Sequence, residues 1–501
     1  MTFAFIATGF INFNTERSCS EGNDYLLKSD VQDSRSFNYQ IKDNNIEWFD
    51  GKFKGLWGKT KEYSGGEFLG NLNLARTSTD GKFWGELNNY DDSSATIKGL
   101  FKNNLLTGII KSNEKMIPTF FFGKISIYET NFTAIIFTLK KGILYAKGEH
   151  EASFLPPLTG SYGIGIKNLH LIDESRPENF TQNNPDDFRE MMIQISYPID
   201  KEIKEPRFGY MDQPTFTWLK DRSPIPLITI PNNAYTYVNP HGKISCSISG
   251  NNDMYPIIIF SPGYDGVYQI YTSLIEDIVS NGFTVVSINH PYVSGITVFP
   301  DGRKIYVAEN STGNLGLRSV VEDAKFVLDK ITELNETDSD LRGRFDLSKV
   351  GMYGHSFGGA STSICCYEDD RFLCGLTLDG VFYLDYIPKG LNKPFLLMIA
   401  ENRFNDENVQ EMWENLYGDS YRVEIMGSTH YAYTDVGLLL NHLVPLIPNK
   451  LLGFGTIEPK RHVNITRNFE LSFFEVYLKD KPIEQLLNLA SVFEEVNFEY
   501  K

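Results

Sequence analysis

Lys349-Val-Gly-Met-Tyr353 reads as an apolar strand, and it runs straight into Gly354-His355-Ser356-Phe357-Gly358-Gly359-Ala360. That is Gly-x-Ser-x-Gly in the context it needs, with a strand before it and a small-residue helix start after it. The serine of such a motif sits on a sharp, strained turn, where side chains in place of the glycines would collide. The turn exposes Ser356 Oγ and aims the N–H groups of the new helix at the same spot, which favours developing negative charge.

Outward from this segment the chain alternates between apolar strands and amphipathic helices. Met191–Tyr197, Pro256–Phe260, Phe283–Asn289, Phe372–Leu378 and Pro394–Ala400 read as strands. Ser273–Asn281 has helical spacing, and Leu317–Leu334 carries Val320, Ala324, Val327, Leu328 and Ile331 on one helical face. That rhythm means an α/β protein with a mostly parallel sheet covered by helices on both faces, and the motif makes it an α/β-hydrolase fold. Chemistry in such sheets sits at the C-terminal ends of the strands.

A nucleophilic serine needs a histidine base and a carboxylate to orient it, in the chain order serine, acid, histidine for this architecture. Three histidines follow Ser356. His430 lies in the loop Gly427-Ser-Thr-His430-Tyr, after the short strand-like run Tyr421–Met426, where the base belongs. His442 falls in an apolar helical stretch and His462 in a basic, surface-like one, so both read as structural. For the acid, Asp379 ends the strand Phe372–Leu378 and is followed by Gly380, which favours it. Glu401 ends the next strand and competes, because acids after either strand can reach the histidine. The oxyanion hole should pair the Phe357 N–H with one from the loop Ser261-Pro-Gly-Tyr264-Asp-Gly266, and Tyr264 is the candidate there.

Residues 1–153 differ from the rest. Short alternating strands are broken by Gly, Asn and Asp. An apolar residue followed two positions later by glycine recurs at Phe53-Lys-Gly55, Phe68-Leu-Gly70, Phe83-Trp-Gly85, Ile97-Lys-Gly99, Leu106-Thr-Gly108 and Phe121-Phe-Gly123. One strand and one turn per step indicate an antiparallel β-rich domain: a meander, a sandwich or a small barrel. The glycines allow a bulge or a close backbone approach, and the aromatics fill the core. The Pro156-Pro157 stretch marks the boundary, which gives a catalytic domain over 154–501.

Composition limits the partners. The chain has 501 residues with 47 Lys and Arg against 64 Asp and Glu, a net charge of −17. That balance argues against nucleic acid and anionic membrane as main partners. No stretch is long and apolar enough for a membrane-spanning helix, and five cysteines with no paired metal spacing argue against a disulfide scaffold or a metal site. The start, Met1–Ser18, has an apolar run without preceding basic residues and reads as a first strand rather than a secretory signal. A soluble, cytoplasmic protein without cofactors is expected, with secretion left open.

Taken together, Gly354–Ala360, Leu376–Gly380, Gly427–Asp435 and His290–Arg303 resemble the platelet-activating factor acetylhydrolase family, in its plasma and isoform II branch, with its bacterial carboxylesterase relatives. The likeness runs from about Gly160 to the C-terminal Glu494–Tyr500. The loop at Pro262, where many members have histidine, is also similar to the cutinase and polyester hydrolase branch. The resemblance implies a Ser356, Asp379, His430 triad and metal-independent hydrolysis of short sn-2 acyl esters of phospholipids. General short-chain carboxylesterase or polyester hydrolase chemistry is the alternative. The resemblance does not cover residues 1–153, which read first as a structural β-rich appendage, with recognition of a lipid or glycan as the alternative. Transient contact with a lipid surface is compatible with either reading.

Overall fold

The computed structural model describes residues 50–501 apart from short connecting segments, the longest being 75–80, 113–118, 223–231 and 444–448. The strand expected at Met1–Ser18 lies outside the described residues, as does Cys19. Glu47–Lys501 form one compact unit.

The β-rich part closes on itself. Strands β1 (Asp50–Gly58), β2 (Gly66–Leu74), β3 (Gly81–Asn89), β4 (Ser94–Lys102), β5 (Leu105–Ser112), β6 (Thr119–Tyr128), β7 (Asn131–Thr138) and β8 (Gly142–His150) form a closed barrel in sequence order. Each pairs antiparallel with the next, and β1 also pairs with β8. Of the three architectures the repeat allows, the barrel is the one that leaves no strand edge unpaired. The recurring glycines make room for rings. Phe83 faces Gly99 across β3 and β4, and a Cβ at Gly99 would fall 2.7 Å from the Phe83 ring. Gly108 faces Phe121 in the same way, at 2.5 Å. The interior is filled by side chains such as Phe68, Phe83, Leu106, Phe121, Ile136 and Leu144, as expected for a barrel of this strand number.

The second part is a ten-stranded sheet in the order β11-β9-β10-β13-β12-β16-β17-β18-β19-β20, with a separate β14–β15 ribbon. Its elements are β9 (Gly163–Pro177), β10 (Phe188–Ile199), α1 (Gln213–Asp221), β11 (Gly242–Ile244), β12 (Tyr255–Ser261), α2 (Thr272–Ser280), β13 (Thr284–Asn289), β14 (Ile296–Val298), β15 (Lys304–Tyr306), α3 (Gly313–Thr337), β16 (Phe345–His355), α4 (Phe357–Glu368), β17 (Phe372–Leu378), β18 (Phe395–Ala400), α5 (Glu407–Glu414), β19 (Ser420–Ile425), α6 (Val436–Leu443), α7 (Pro459–Lys479) and β20 (Val496–Tyr500). The run from β13 through β12, β16, β17 and β18 to β19 pairs in parallel, whereas β10 pairs antiparallel with both β9 and β13, and β20 pairs antiparallel with β19.

Successive residues of the central strands feed two apolar layers. Ile258 and Phe260 of β12 join Leu274 and Ile278 of α2 and Phe469 and Phe473 of α7. Ile257 and Ile259 join Val320 and Val327 of α3, Ile364 of α4 and Met412 of α5. Burying one such aliphatic side chain is worth roughly 1.5–3 kcal/mol, so these strands read as continuous apolar runs. The parallel block lines up the C-terminal ends of β12, β16, β17 and β19 along one edge of the sheet.

Candidate active site

The turn after β16 has the strain its sequence implies. Ser356 adopts φ 55° and ψ −114° between the strand and α4, a conformation that side chains rarely hold unless the surroundings impose it. The surroundings do impose it. The Ser356 N–H donates to Leu378 O at 2.9 Å, and its carbonyl accepts from Ala360 N–H and Val381 N–H, both at 3.1 Å. A Cβ on Gly354 would lie 2.4 Å from the backbone of Gly358, and one on Gly358 would lie 2.1 Å from Ser261 O. Neither glycine can be replaced without opening the turn.

Ser356 Oγ donates to His430 Nε2 at 2.9 Å. His430 Nδ1–H donates to Asp379 Oδ2 at 2.5 Å. Asp379 stands directly after β17 with φ 47°, is 1% exposed, and accepts on its other oxygen from Ala400 N–H at 2.9 Å and Arg403 at 3.0 Å. Burial would raise this carboxyl, but His430, Arg403 and the Ala400 N–H outweigh it and hold Asp379 below the usual carboxylate value. The ring is thereby fixed in the tautomer that leaves Nε2 free to accept the serine proton. Glu401, the competing acid, lies in the turn after β18; the carboxylate that meets His430 is that of Asp379.

The expected oxyanion donors flank the serine. Phe357 opens α4, and Tyr264 lies in a turn closed by Gly266 N–H donating to Gly263 O at 2.9 Å. Asp265 takes φ 53° in that turn. The two rings meet edge-on at 6.0 Å. Among the described residues neither the Phe357 N–H nor the Tyr264 N–H has a protein acceptor, the state expected of donors reserved for a substrate oxygen.

His355 is more than a neighbour of the nucleophile. Its side chain turns away from Ser356 Oγ, as the turn requires, and reaches His430 O at 2.9 Å through Nε2. A carbonyl can only accept, so Nε2 carries the proton and Nδ1 accepts from the Tyr271 hydroxyl at 2.9 Å. The Tyr271 oxygen accepts in turn from Gly263 N–H at 3.4 Å. Burial and the nearby His430 push His355 down to about 3, so it stays neutral. This chain joins the Tyr264 loop to the His430 loop. It cannot be read from the sequence, because Tyr271 lies 84 residues from His355.

His462 and His290 take structural places. His462 is not on a surface segment as its basic neighbours suggested. It is fully buried on α7 against Tyr433, with ring centroids 4.5 Å apart, because Arg461 and Lys460 lie on other faces of a helix whose opposite side packs on the sheet. His290 makes a second serine–histidine–aspartate series, with Ser261 Oγ at 3.2 Å and Asp323 Oδ2 at 2.9 Å. All three are at most 1% exposed and Asp323 also holds Arg189 at 2.6 Å, so that series fastens the strand below the Tyr264 loop and has no route to a substrate. Among the described residues no group of His, Cys, Asp and Glu is arranged to hold a metal, Cys246, Cys365, Cys366 and Cys374 are free and buried, and no helix is long and apolar enough to cross a membrane.

The family model for platelet-activating factor acetylhydrolase, isoform II, matches residues 229–339 and 327–495, more than half of the chain. The chain belongs to that family. The "probable 1-alkyl-2-acetylglycerophosphocholine esterase" of Arthroderma benhamiae is 28% identical over 204 residues, covering 38% of this chain and 51% of the fungal protein. The match therefore spans about half the length of that relative. The platelet-activating factor acetylhydrolase of Canis lupus familiaris is 24% identical over 379 residues, 67% of this chain and 80% of the dog protein. Among solved structures, the ferulic acid esterase of Streptomyces cinnamoneus superposes with a TM-score of 0.58 at 27% identity, over 68% of this chain and 98% of the esterase. That likeness identifies an α/β-hydrolase fold, with the antiparallel β-rich part N-terminal to it.

Proposed function

We propose that this member of the family is a serine carboxylic ester hydrolase that removes short sn-2 acyl groups from phospholipids, the 1-alkyl-2-acetylglycerophosphocholine esterase reaction. The observation that carries the reading is the hydrogen-bonded series from Ser356 Oγ through His430 to Asp379 on a strained turn, at 2.9 and 2.5 Å. The names of the fungal and canine relatives support the substrate class.

In the proposed mechanism His430 Nε2 takes the Ser356 hydroxyl proton as Oγ attacks the ester carbonyl. The resulting oxyanion is held by the Phe357 and Tyr264 N–H groups. The bond to the alcohol then breaks, and His430 returns the proton to the leaving oxygen. Water enters, gives its proton to His430 Nε2 and attacks the acyl-enzyme, and the acid leaves as Ser356 recovers its proton. Asp379 stabilises the imidazolium throughout without itself becoming protonated.

A general short-chain carboxylesterase is the second reading, favoured by the likeness to the ferulic acid esterase. A panel of p-nitrophenyl acetate, p-nitrophenyl palmitate and a 2-acetyl phosphocholine ether lipid, run with the unmodified enzyme and Ser356→Ala, separates the two. Serine-dependent preference for the acetyl phospholipid is the expected result. Cleavage of p-nitrophenyl acetate alone supports the general esterase.

A further inference from the structure

The outer surface of the barrel is apolar over strands where a solvated barrel would be polar. In β6 the run Phe120-Phe121-Phe122 turns Phe121 inward and leaves Phe120 and Phe122 66% and 60% exposed. The register makes the outward residues contiguous. Phe122 faces Phe137 of β7, with rings stacked at 5.6 Å, and Phe137 faces Ile143 of β8. On the other side Phe120 faces Ile109 of β5, and Leu100 and Leu105 are 52% and 63% exposed. Monomeric proteins rarely leave so large a contiguous apolar area bare without using it.

The charge on strands β4 to β7 is one-sided. Strands β4 to β7 contain Lys98, Lys102, Lys111 and Lys124 and no Asp or Glu, in a chain with 64 acidic residues and a net charge of −17. Lys98, Lys111 and Lys124 point outward and are exposed. Lys124 stands between Leu105 and Ile135 in the register, so cations and apolar groups share one surface. We propose that this face docks on an anionic lipid surface, with Phe120, Phe122 and Phe137 entering the boundary between headgroups and acyl chains and Lys98, Lys111 and Lys124 meeting the anionic headgroups.

The same features argue against other occupants. A second copy meeting this patch about a twofold axis would set lysine against lysine. A barrel that spanned a bilayer would not carry Glu86, Lys98 and Lys124 among its outward positions. The net charge of the chain conceals the site, because strands β4 to β7 themselves carry no acidic residue. The inference is independent of the serine chemistry, so its failure and the failure of the hydrolase reading are separate events.

The test is flotation of full-length Ser356→Ala protein with phosphatidylcholine vesicles, with and without phosphatidylserine, at low and high salt. The docking face predicts binding to the phosphatidylserine vesicles that salt weakens. Lys98→Glu with Lys124→Glu should weaken partitioning by about tenfold or more, and Phe122→Ser with Phe137→Ser should abolish it. Melting temperatures check folding, and the lysine variant decides if the phenylalanine variant unfolds. The proposal is overturned if the parent protein floats with neither vesicle, or if the lysine variant binds as the parent does. It is also overturned if sedimentation velocity shows a dimer that the phenylalanine variant dissociates while no vesicle binding occurs.

Discussion

The residue before the proposed nucleophile holds the residue that would activate it: His355 Nε2 lies 2.9 Å from the backbone carbonyl of His430. The neutral His355 ring is itself oriented by Tyr271, so a catalytic loop that follows β19 is tied to the turn that follows β16. A donor at this position restrains His430 without touching substrate.

His355→Ala should therefore lower kcat by about 10- to 100-fold, the cost of losing one well-placed buried hydrogen bond and the alignment it keeps. KM should change little, because His355 has no place in the substrate site. His355→Gln, which retains a side-chain N–H donor, should recover part of the loss, whereas a purely packing role would respond to side-chain volume and not to the donor. Equal loss in both variants contradicts the positioning role.

Asp379→Asn should reduce kcat by on the order of 10⁴, since an amide no longer holds the imidazole in its working tautomer. Glu401→Gln should stay close to the unmodified enzyme at matched melting temperature. The opposite ranking would transfer the acid to Glu401.

Asp435 gives the stability a pH signature. Burial raises this carboxyl from 3.8 to about 7, against the donors Ser273 N–H and Tyr210 O–H. The native state thus keeps a proton that the unfolded chain releases. The stability from this group is complete below the unfolded value near 4 and is lost as pH rises through about 7. The melting temperature should fall between pH 5 and pH 8 on this account, with the same window flattened in Asp435→Asn. An unchanged slope in the variant contradicts it.

Asp323 should be the most costly single carboxylate to remove. It holds Arg189 at 2.6 Å with both side chains at most 3% exposed. Burial alone would raise it, but Arg189 and His290 dominate and hold it far below the usual carboxylate value. Asp323→Asn leaves the buried guanidinium without its main counter-charge, a loss of about 3–5 kcal/mol. Urea unfolding measures this directly, and a change within about 0.5 kcal/mol, the range of ordinary surface substitutions, contradicts it.

The serine turn, the α/β rhythm and the place of His430 were legible because each is local. Gly354, Gly358 and the strand before them state the turn within a dozen residues, and the loop after Tyr421–Met426 follows from chain order. Asp379 could be preferred but not chosen from sequence, because Glu401 ends the neighbouring strand in a similar way and only the register of β17 and β18 separates them. Closure of the barrel depends on β1 meeting β8 across about ninety residues, which a repeat of glycines and aromatics permits without requiring. The burial of His462 was misread because its basic neighbours outweighed the apolar face of α7. The Tyr271–His355 link left no sequence signal at all.

The central claim is that Ser356 Oγ is the nucleophile, and trapping it with a fluorophosphonate tests this most directly. Intact-mass analysis should show one adduct on the unmodified enzyme, peptide mapping should place it on Ser356, and Ser356→Ala should show none while losing on the order of 10⁶ in turnover. A folded enzyme that takes up no adduct, or takes it up at another residue, contradicts the account.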